Sequence, residues 1–234
     1  MRRSRIVADF RHPASELAAG GMLYAMSDEE DGPDEPRASP LGDGDRLLNL
    51  SGPSEAETSL GHLAPELRYT EGFGRAADVL ANYARSNSLY LEDLAMPILY
   101  CYRQSLELRL KYLLTLGEML DGRTAKVEKT HDLMHLWRKV TPILKQSWPR
   151  GAPPVADRIE TVLREFARID SGGYAFRYAI DKRGEPSLLQ DITINLENVQ
   201  LVASRVEQHL DDAAEHIDWI LMERVFARAR PKGP

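Results

Sequence analysis

Apolar side chains recur at Phe73, Ala76, Val79, Leu80 and Tyr83, the three-and-four spacing that turns one face of an α-helix toward a core. A longer helix is expected from near Pro97, or slightly before it with a kink, through Leu106, Leu110, Leu113, Leu114 and Leu116 toward Asp121-Gly122. Its apolar residues lie on almost every side, which marks it as central. Leu133, Leu136, Trp137, Val140, Ile143 and Leu144 form the stripe of a third helix, with Thr130 able to cap it and Asp132 complementing the dipole in its first turn. Trp148-Pro149 and Pro153-Pro154 close that stretch. Val155, Ile159, Val162, Leu163, Phe166 and Ile169 predict a fourth helix, which Gly172-Gly173 can end because glycine accepts the left-handed conformation.

The period then changes to two at Tyr174, Phe176, Tyr178 and Ile180, followed by a turn tetrapeptide, Asp181-Lys182-Arg183-Gly184, and renewed alternation at Ile192, Ile194 and Leu196. That pattern predicts a small β-hairpin insert near 174–196. Val199, Ala203, Val206, Leu210, Ala213, Ile217 and Ile220 then alternate steps of four and three, a helix-packing seam that closes either the bundle or a dimer. The expectation is a mainly α domain over residues 61–234. Ahead of it, Ser27 to Gly44 is acidic and rich in proline and glycine, with few large apolar side chains to offset the entropy of ordering. Residues 1–60 therefore read as a flexible, acidic N-terminal segment.

The 43% hydrophobic content of the 234 residues suits a buried core, and a formal charge of -6 excludes a protein that coats nucleic acid by bulk electrostatics. Any nucleic-acid site must be local. The single cysteine, Cys101, cannot form an intramolecular disulfide, and its neighbours Ile98, Leu99, Tyr100 and Tyr102 mark it as a small core residue. The longest apolar run, Ala95 to Tyr102, is less than half a bilayer span. No secretory signal is legible at the start, so a cytoplasmic protein without membrane contact is expected.

Several constellations carry candidate chemistry. Arg103, Glu107 and Lys111 stand four apart on one helix face; they suit either phosphate positioning, with Glu107 orienting the cations, or an ion-pair ladder. His131 lies at an expected helix N-terminus, where the positive dipole end favours a neutral imidazole able to act as a general base, unless it and Asp132 merely cap the helix. His131 and His135 with Asp132 between them superficially resemble a zincin pair, but aspartate is a poor substitute for the glutamate base and no third ligand is evident. Arg177 between two tyrosines, followed by Lys182 and Arg183, suits stacking on a base and binding of phosphate, or an exposed basic turn. Arg224, Arg228, Arg230 and Lys232 form a basic tail, while His209 and His216 read as surface or interface residues. No Gly-rich phosphate loop, nucleophilic serine motif or paired-cysteine knuckle is present.

The run Tyr100-Cys101-Tyr102-Arg103-Gln104-Ser105-Leu106-Glu107-Leu108-Arg109-Leu110-Lys111, followed by Thr130-His131-Asp132-Leu133 and Leu136-Trp137, resembles helical proteins of the HEPN superfamily. Phe176-Arg177-Tyr178 with Asp181-Lys182-Arg183-Gly184 is similar to an insert in uncharacterised bacterial members, and the likeness spans roughly Phe73 to Leu221. The resemblance implies an antiparallel helical bundle, frequent dimerisation, and a bacterial defence or toxin–antitoxin setting with a protein partner encoded nearby. It further implies RNA or nucleotide as ligand and, in active members, metal-independent RNA cleavage without a cofactor. Those members carry an arginine, four to six intervening residues, and a histidine near the start of a late helix. Here Arg5 and His12 fit that spacing but precede the bundle; Arg205 to His209 is too short, and Lys126 to His131 has lysine in place of arginine.

On this reading the catalytic set is His131 as base, Arg103 as phosphate stabiliser and Glu107 as orienter, with Arg177, Lys111 and Lys182 contacting RNA phosphates. The competing class is a non-catalytic interaction module whose charged residues hold the bundle together. Gathering of Arg103, His131 and Arg177 in an open cleft favours RNA chemistry; burial and mutual pairing favour the interaction module. A metallohydrolase at His131 and His135 is a third class.

Overall fold

The computed structural model describes residues 65–126, 128–148, 155–188 and 191–229. They form five α-helices: α1 (Pro65–Ser86), α2 (Leu91–Leu120), α3 (Leu133–Ser147), α4 (Ala156–Ile169) and α5 (Leu196–Ala229), with a 3-10 turn at Ser88–Tyr90 between the first two. The expectations for residues 1–60, including their flexibility, lie outside the described residues. No described helix is long and apolar enough to cross a membrane.

Helix α1 opens on Pro65, whose missing N–H costs nothing in a first turn. It buries Ala77, Ala81 and Ala84 completely, a row of small side chains that lets α2 approach closely. Helix α2 starts six residues before Pro97 rather than at it. Glu92 and Asp93 in its first turn complement the dipole. Its end falls where the sequence puts it: Gly122 takes φ 70°, and the N–H groups of Gly122 and Arg123 return to the carbonyls of Met119 and Glu118 at 3.0 and 2.9 Å.

Helix α3 differs from expectation at its cap. Asp132, not Thr130, is the N-cap, its carboxylate accepting from the N–H groups of Met134 and His135 at 2.9 and 3.0 Å. The Thr130 hydroxyl accepts from Asp132 N–H one step earlier. A charged acceptor at the cap also answers the helix dipole, which a threonine cannot do. His131 consequently precedes the helix.

Helix α2 lies at the centre and packs on α1, α3 and α5. Ile98, Tyr102, Leu106, Leu110 and Leu113 from α2 are fully buried, against Leu133, Leu136 and Val140 of α3, Leu163 of α4, and Leu210 and Ile217 of α5. Cross-helix bonds fix the directions. Asp78 meets Tyr102 while Thr70 meets Ser105, so α1 runs against α2. Glu207, Asp211, Asp218 and Arg224 of α5 meet Ser105, Arg109, Tyr112 and Leu120 of α2 in rising order, so these two helices are parallel. The bundle is therefore mixed, in place of the antiparallel arrangement that the resemblance implies. The segment between α2 and α3 brings His131 back beside Glu107, so α3 restarts in the direction of α2.

The expected hairpin is realised as turns. Among the described residues from Asp170 to Leu196 no strand forms, and a single antiparallel bridge joins Ile180 and Pro186. Proline has no N–H with which to extend a ladder, and the alternating Tyr178 and Ile180 are exposed rather than packed on a sheet. The turn tetrapeptide is present. Gly184 takes φ 85°, and the Asp181 carboxylate accepts from the N–H groups of Arg183 and Glu185 at 2.8 and 3.0 Å.

Candidate functional site

The i,i+4 stripe on α2 sits inside the bundle. Arg103 and Glu107 are each 1% exposed and paired at 3.1 Å. Arg103 also donates from Nε to the Asp170 carbonyl at 3.2 Å and from Nη2 to the His131 carbonyl at 2.6 Å. The Asp170 carboxylate adds a charge contact at 3.6 Å. One guanidinium thus ties α2 to the entry of α3 and the exit of α4. Buried ions of this kind persist only when each is both paired and hydrogen-bonded. Here the donors of Arg103 are directed at protein acceptors.

Glu107 receives three partners. Besides Arg103, Lys111 Nζ and His131 Nδ1 both stand 2.8 Å from its Oε1. Burial pushes this carboxyl upward, but the hydrogen bonds and charges of Lys111 and His131 outweigh burial and hold it below the usual carboxylate value. An ionised carboxylate only accepts, so His131 donates through Nδ1. The imidazole is half exposed, at 52%, and Lys111 is partly exposed at 21%.

Gly173 connects this network to the loop after α4. Its φ is +78°, and a Cβ there would stand 3.0 Å from Arg103 Nη1; only glycine fits both conditions without strain. The Asp170 carboxylate accepts from Tyr174 N–H at 2.8 Å, and Arg177 Nε donates to the Gly173 carbonyl at 2.6 Å. The loop is thereby pinned at its base to the buried ion network.

Beyond the pin, the loop presents aromatic and cationic groups. The Arg177 guanidinium lies 5.3, 5.4 and 5.6 Å from the ring centres of Tyr174, Tyr178 and Tyr100, within cation–π range of all three. Lys182 Nζ lies 5.4 Å from the Tyr174 ring. Tyr174 and Tyr178 face each other at 6.4 Å with 30° between their planes. Together with Ile180, Asp181, Lys182, Arg183 and Ser187 they line an open cleft of about 490 Å³, a volume suited to a small organic ligand. The buried Ser187 hydroxyl has no hydrogen-bond partner among the described residues.

Arg103, Glu107, Lys111 and His131 are therefore joined directly, and Arg177 and Lys182 lie in the loop that Arg103 anchors. The backbone of Gly173 stands between the two sets, so Arg103 and Arg177 do not share a cleft wall. Asp170, Gly173, Tyr100 and Ser187 are participants that spacing does not single out. Among the described residues no group of three His, Cys, Asp or Glu side chains is placed to hold a metal ion, and Asp132 between His131 and His135 is engaged as a cap.

A second buried polar cluster also escaped sequence reading. Arg109 pairs with Glu207 and Asp211 of α5 at 3.3 and 2.9 Å. Ser105 lies 2.5 Å from Glu207 and 3.1 Å from the Thr70 carbonyl, and Arg109 donates to its hydroxyl as well. Burial pushes the Glu207 carboxyl up, against the pull of Arg109. Comparison with protein-family models, curated proteins and solved structures returned no match to this chain.

Proposed function

We propose that this chain is a HEPN-like, homodimeric helical module that binds RNA or nucleotides at the Tyr174–Ser187 cleft. The observation that carries this reading is the union of two exposed tyrosine rings with Lys182 and Arg183 around one opening. A base stacks on tyrosine whatever its identity, and lysine and arginine meet the attached phosphate. The buried ion network supports the site from beneath; Arg103 and Glu107 act on the loop through Asp170 and Gly173 rather than on a ligand. The defence or toxin–antitoxin setting and the protein partner rest on the family resemblance alone.

The burial and mutual pairing of Arg103 and Glu107 weigh toward the non-catalytic interaction module; metal-independent RNA cleavage, a second reading, is favoured by one contact. Glu107 holds the half-exposed His131 through Nδ1 at 2.8 Å, the way a carboxylate orients a general base. One experiment addresses both readings. Full-length protein is titrated against a fluorescent single-stranded RNA and against mononucleotides in EDTA, and the RNA is then sequenced for new ends. Binding should weaken about tenfold or more in the Tyr174→Ala/Tyr178→Ala variant, since each stacked base contributes roughly 1–3 kcal/mol. Lys182→Ala/Arg183→Ala should flatten the salt dependence. Equal affinity in wild type and the tyrosine variant sinks the cleft assignment; cuts lost on His131→Ala establish the second reading. Absence of any RNA or nucleotide binding leaves a protein-interaction module.

A further inference from the structure

His131 lies outside regular structure, between α2 and α3, yet it is held at two points. Its carbonyl accepts from Arg103 Nη2 at 2.6 Å, and its Nδ1 donates to Glu107 Oε1 at 2.8 Å. Glu107 cannot turn away, because it is buried and bound to Arg103 and Lys111 as well. Those two cations already pair the carboxylate, so its charge does not depend on the histidine. The imidazole instead takes its orientation from the carboxylate.

The consequence falls on the other ring nitrogen. A neutral imidazole that donates through Nδ1 carries its lone pair on Nε2. In His131 that nitrogen has no partner among the described residues, and half of the side chain is exposed. A carboxylate on Nδ1 makes Nε2 the better nucleophile, since the positive charge that reaches the ring on attack is met across the same hydrogen bond. Lys111 Nζ stands 2.8 Å from the same Glu107 oxygen, which puts a cation beside the ring and suits an incoming oxyanion.

Two other described histidines lack this combination. His216 has Nε2 taken by the Ser147 carbonyl at 3.1 Å. His209 is 45% exposed, close to the 52% of His131, but its Nδ1 stands 4.0 Å from Asp212, too far for a hydrogen bond. It is therefore a matched reference without the carboxylate contact.

We propose that His131 is a phosphoryl-acceptor site, its Nε2 taking the phosphoryl group of a phosphoramidate-class donor. The Nε2 lone pair forms a new P–N bond while the P–N bond of the nitrogen-protonated donor breaks, its electron pair leaving with a neutral amine. Nδ1 keeps its proton, so the ring becomes an imidazolium facing Glu107. Nothing is oxidised or reduced. The site is separate from the Tyr174–Ser187 cleft and does not depend on the binding of RNA there.

The test incubates full-length protein with potassium phosphoramidate in EDTA. The product is read by intact mass, by peptide sequencing in the mass spectrometer, and by phosphorus NMR, which separates the Nε2 from the Nδ1 phosphohistidine. His131 should be modified about tenfold faster than His209, at Nε2, the factor expected when a charge-assisted hydrogen bond strengthens on attack. Glu107→Gln keeps the shape and removes the charge; it should bring His131 down to the rate of His209 at unchanged helicity by circular dichroism. A His131 no faster than His209, or one modified at Nδ1, overturns the proposal. A preference that survives in folded Glu107→Gln overturns Glu107 as its cause. Where that variant loses helicity, the wild-type ratio of His131 to His209 decides alone.

Discussion

Arg103 has the largest structural consequence of any residue in the site. Its guanidinium is fully buried and meets Glu107, Asp170 and the His131 carbonyl from three parts of the chain. Removing one partner of a buried ion network leaves the others uncompensated, so Arg103→Met should cost about 3–5 kcal/mol in urea unfolding. His131→Ala should cost under about 1 kcal/mol, because its imidazole is half exposed and Lys111 still faces Glu107. Equal losses would mean that Arg103 is not the hub. The stripe itself was legible in the sequence, since 103, 107 and 111 share a helix face by spacing alone. Its burial was not, because Asp170 stands 67 residues away and no local pattern reports which side of a largely apolar helix a later segment will cover.

Two glycines at the element scale separate helix propensity from packing. Gly72 of α1 has nothing within 4 Å of where a Cβ would stand, while a Cβ at Gly117 of α2 would collide with the Ile143 side chain of α3. Gly72→Ala should therefore raise stability by roughly 0.5–1 kcal/mol through reduced backbone entropy. Gly117→Ala should lower it by about 1–3 kcal/mol, since overpacking outweighs the gain in propensity. Chemical denaturation of the pair checks this, and a stabilised Gly117→Ala would show that α2 and α3 have slack where they cross. The stop at Asp121-Gly122 and the apolar faces of α3 and α4 were readable because they depend on neighbours within a turn or two. The hairpin was misjudged for a similar reason: alternation at Tyr174, Phe176, Tyr178 and Ile180 specifies a strand only where a sheet exists to receive it, and the loop instead closes on the Arg103 network.

For the whole molecule, two buried carboxyls that join helices respond to pH in opposite senses. Glu207, raised by burial, contributes stability that is full below its unfolded value of 4.5 and is lost as pH rises through its folded value. Glu107, held low by Lys111 and His131, contributes stability that is present above 4.5 and is lost as pH falls through its folded value. The thermal midpoint should accordingly rise as pH is lowered through the folded value of Glu207 toward about 5, and fall on further acidification. Glu207→Gln should flatten the first limb and keep the second. A first limb of unchanged slope in that variant would place its origin elsewhere.

The sequence by itself determined that this protein is mainly α, where four of the five helices end or begin to within a few residues, and which faces α3, α4 and α5 bury, because a 3.6-residue period is a local property; α1 instead buries Ala77, Ala81 and Ala84 and leaves the expected Ala76, Val79 and Tyr83 exposed, since close approach to α2 selects its small side chains. It also determined the Asp181–Gly184 turn. Only the tertiary structure decided that α2 and α5 run parallel, that Arg103 and Glu107 are interior, that Ser105 and Arg109 meet Glu207 across 102 and 98 residues, and that three tyrosines surround Arg177. Those outcomes depend on which distant segments meet, and a linear pattern specifies the faces available for contact without specifying their partners.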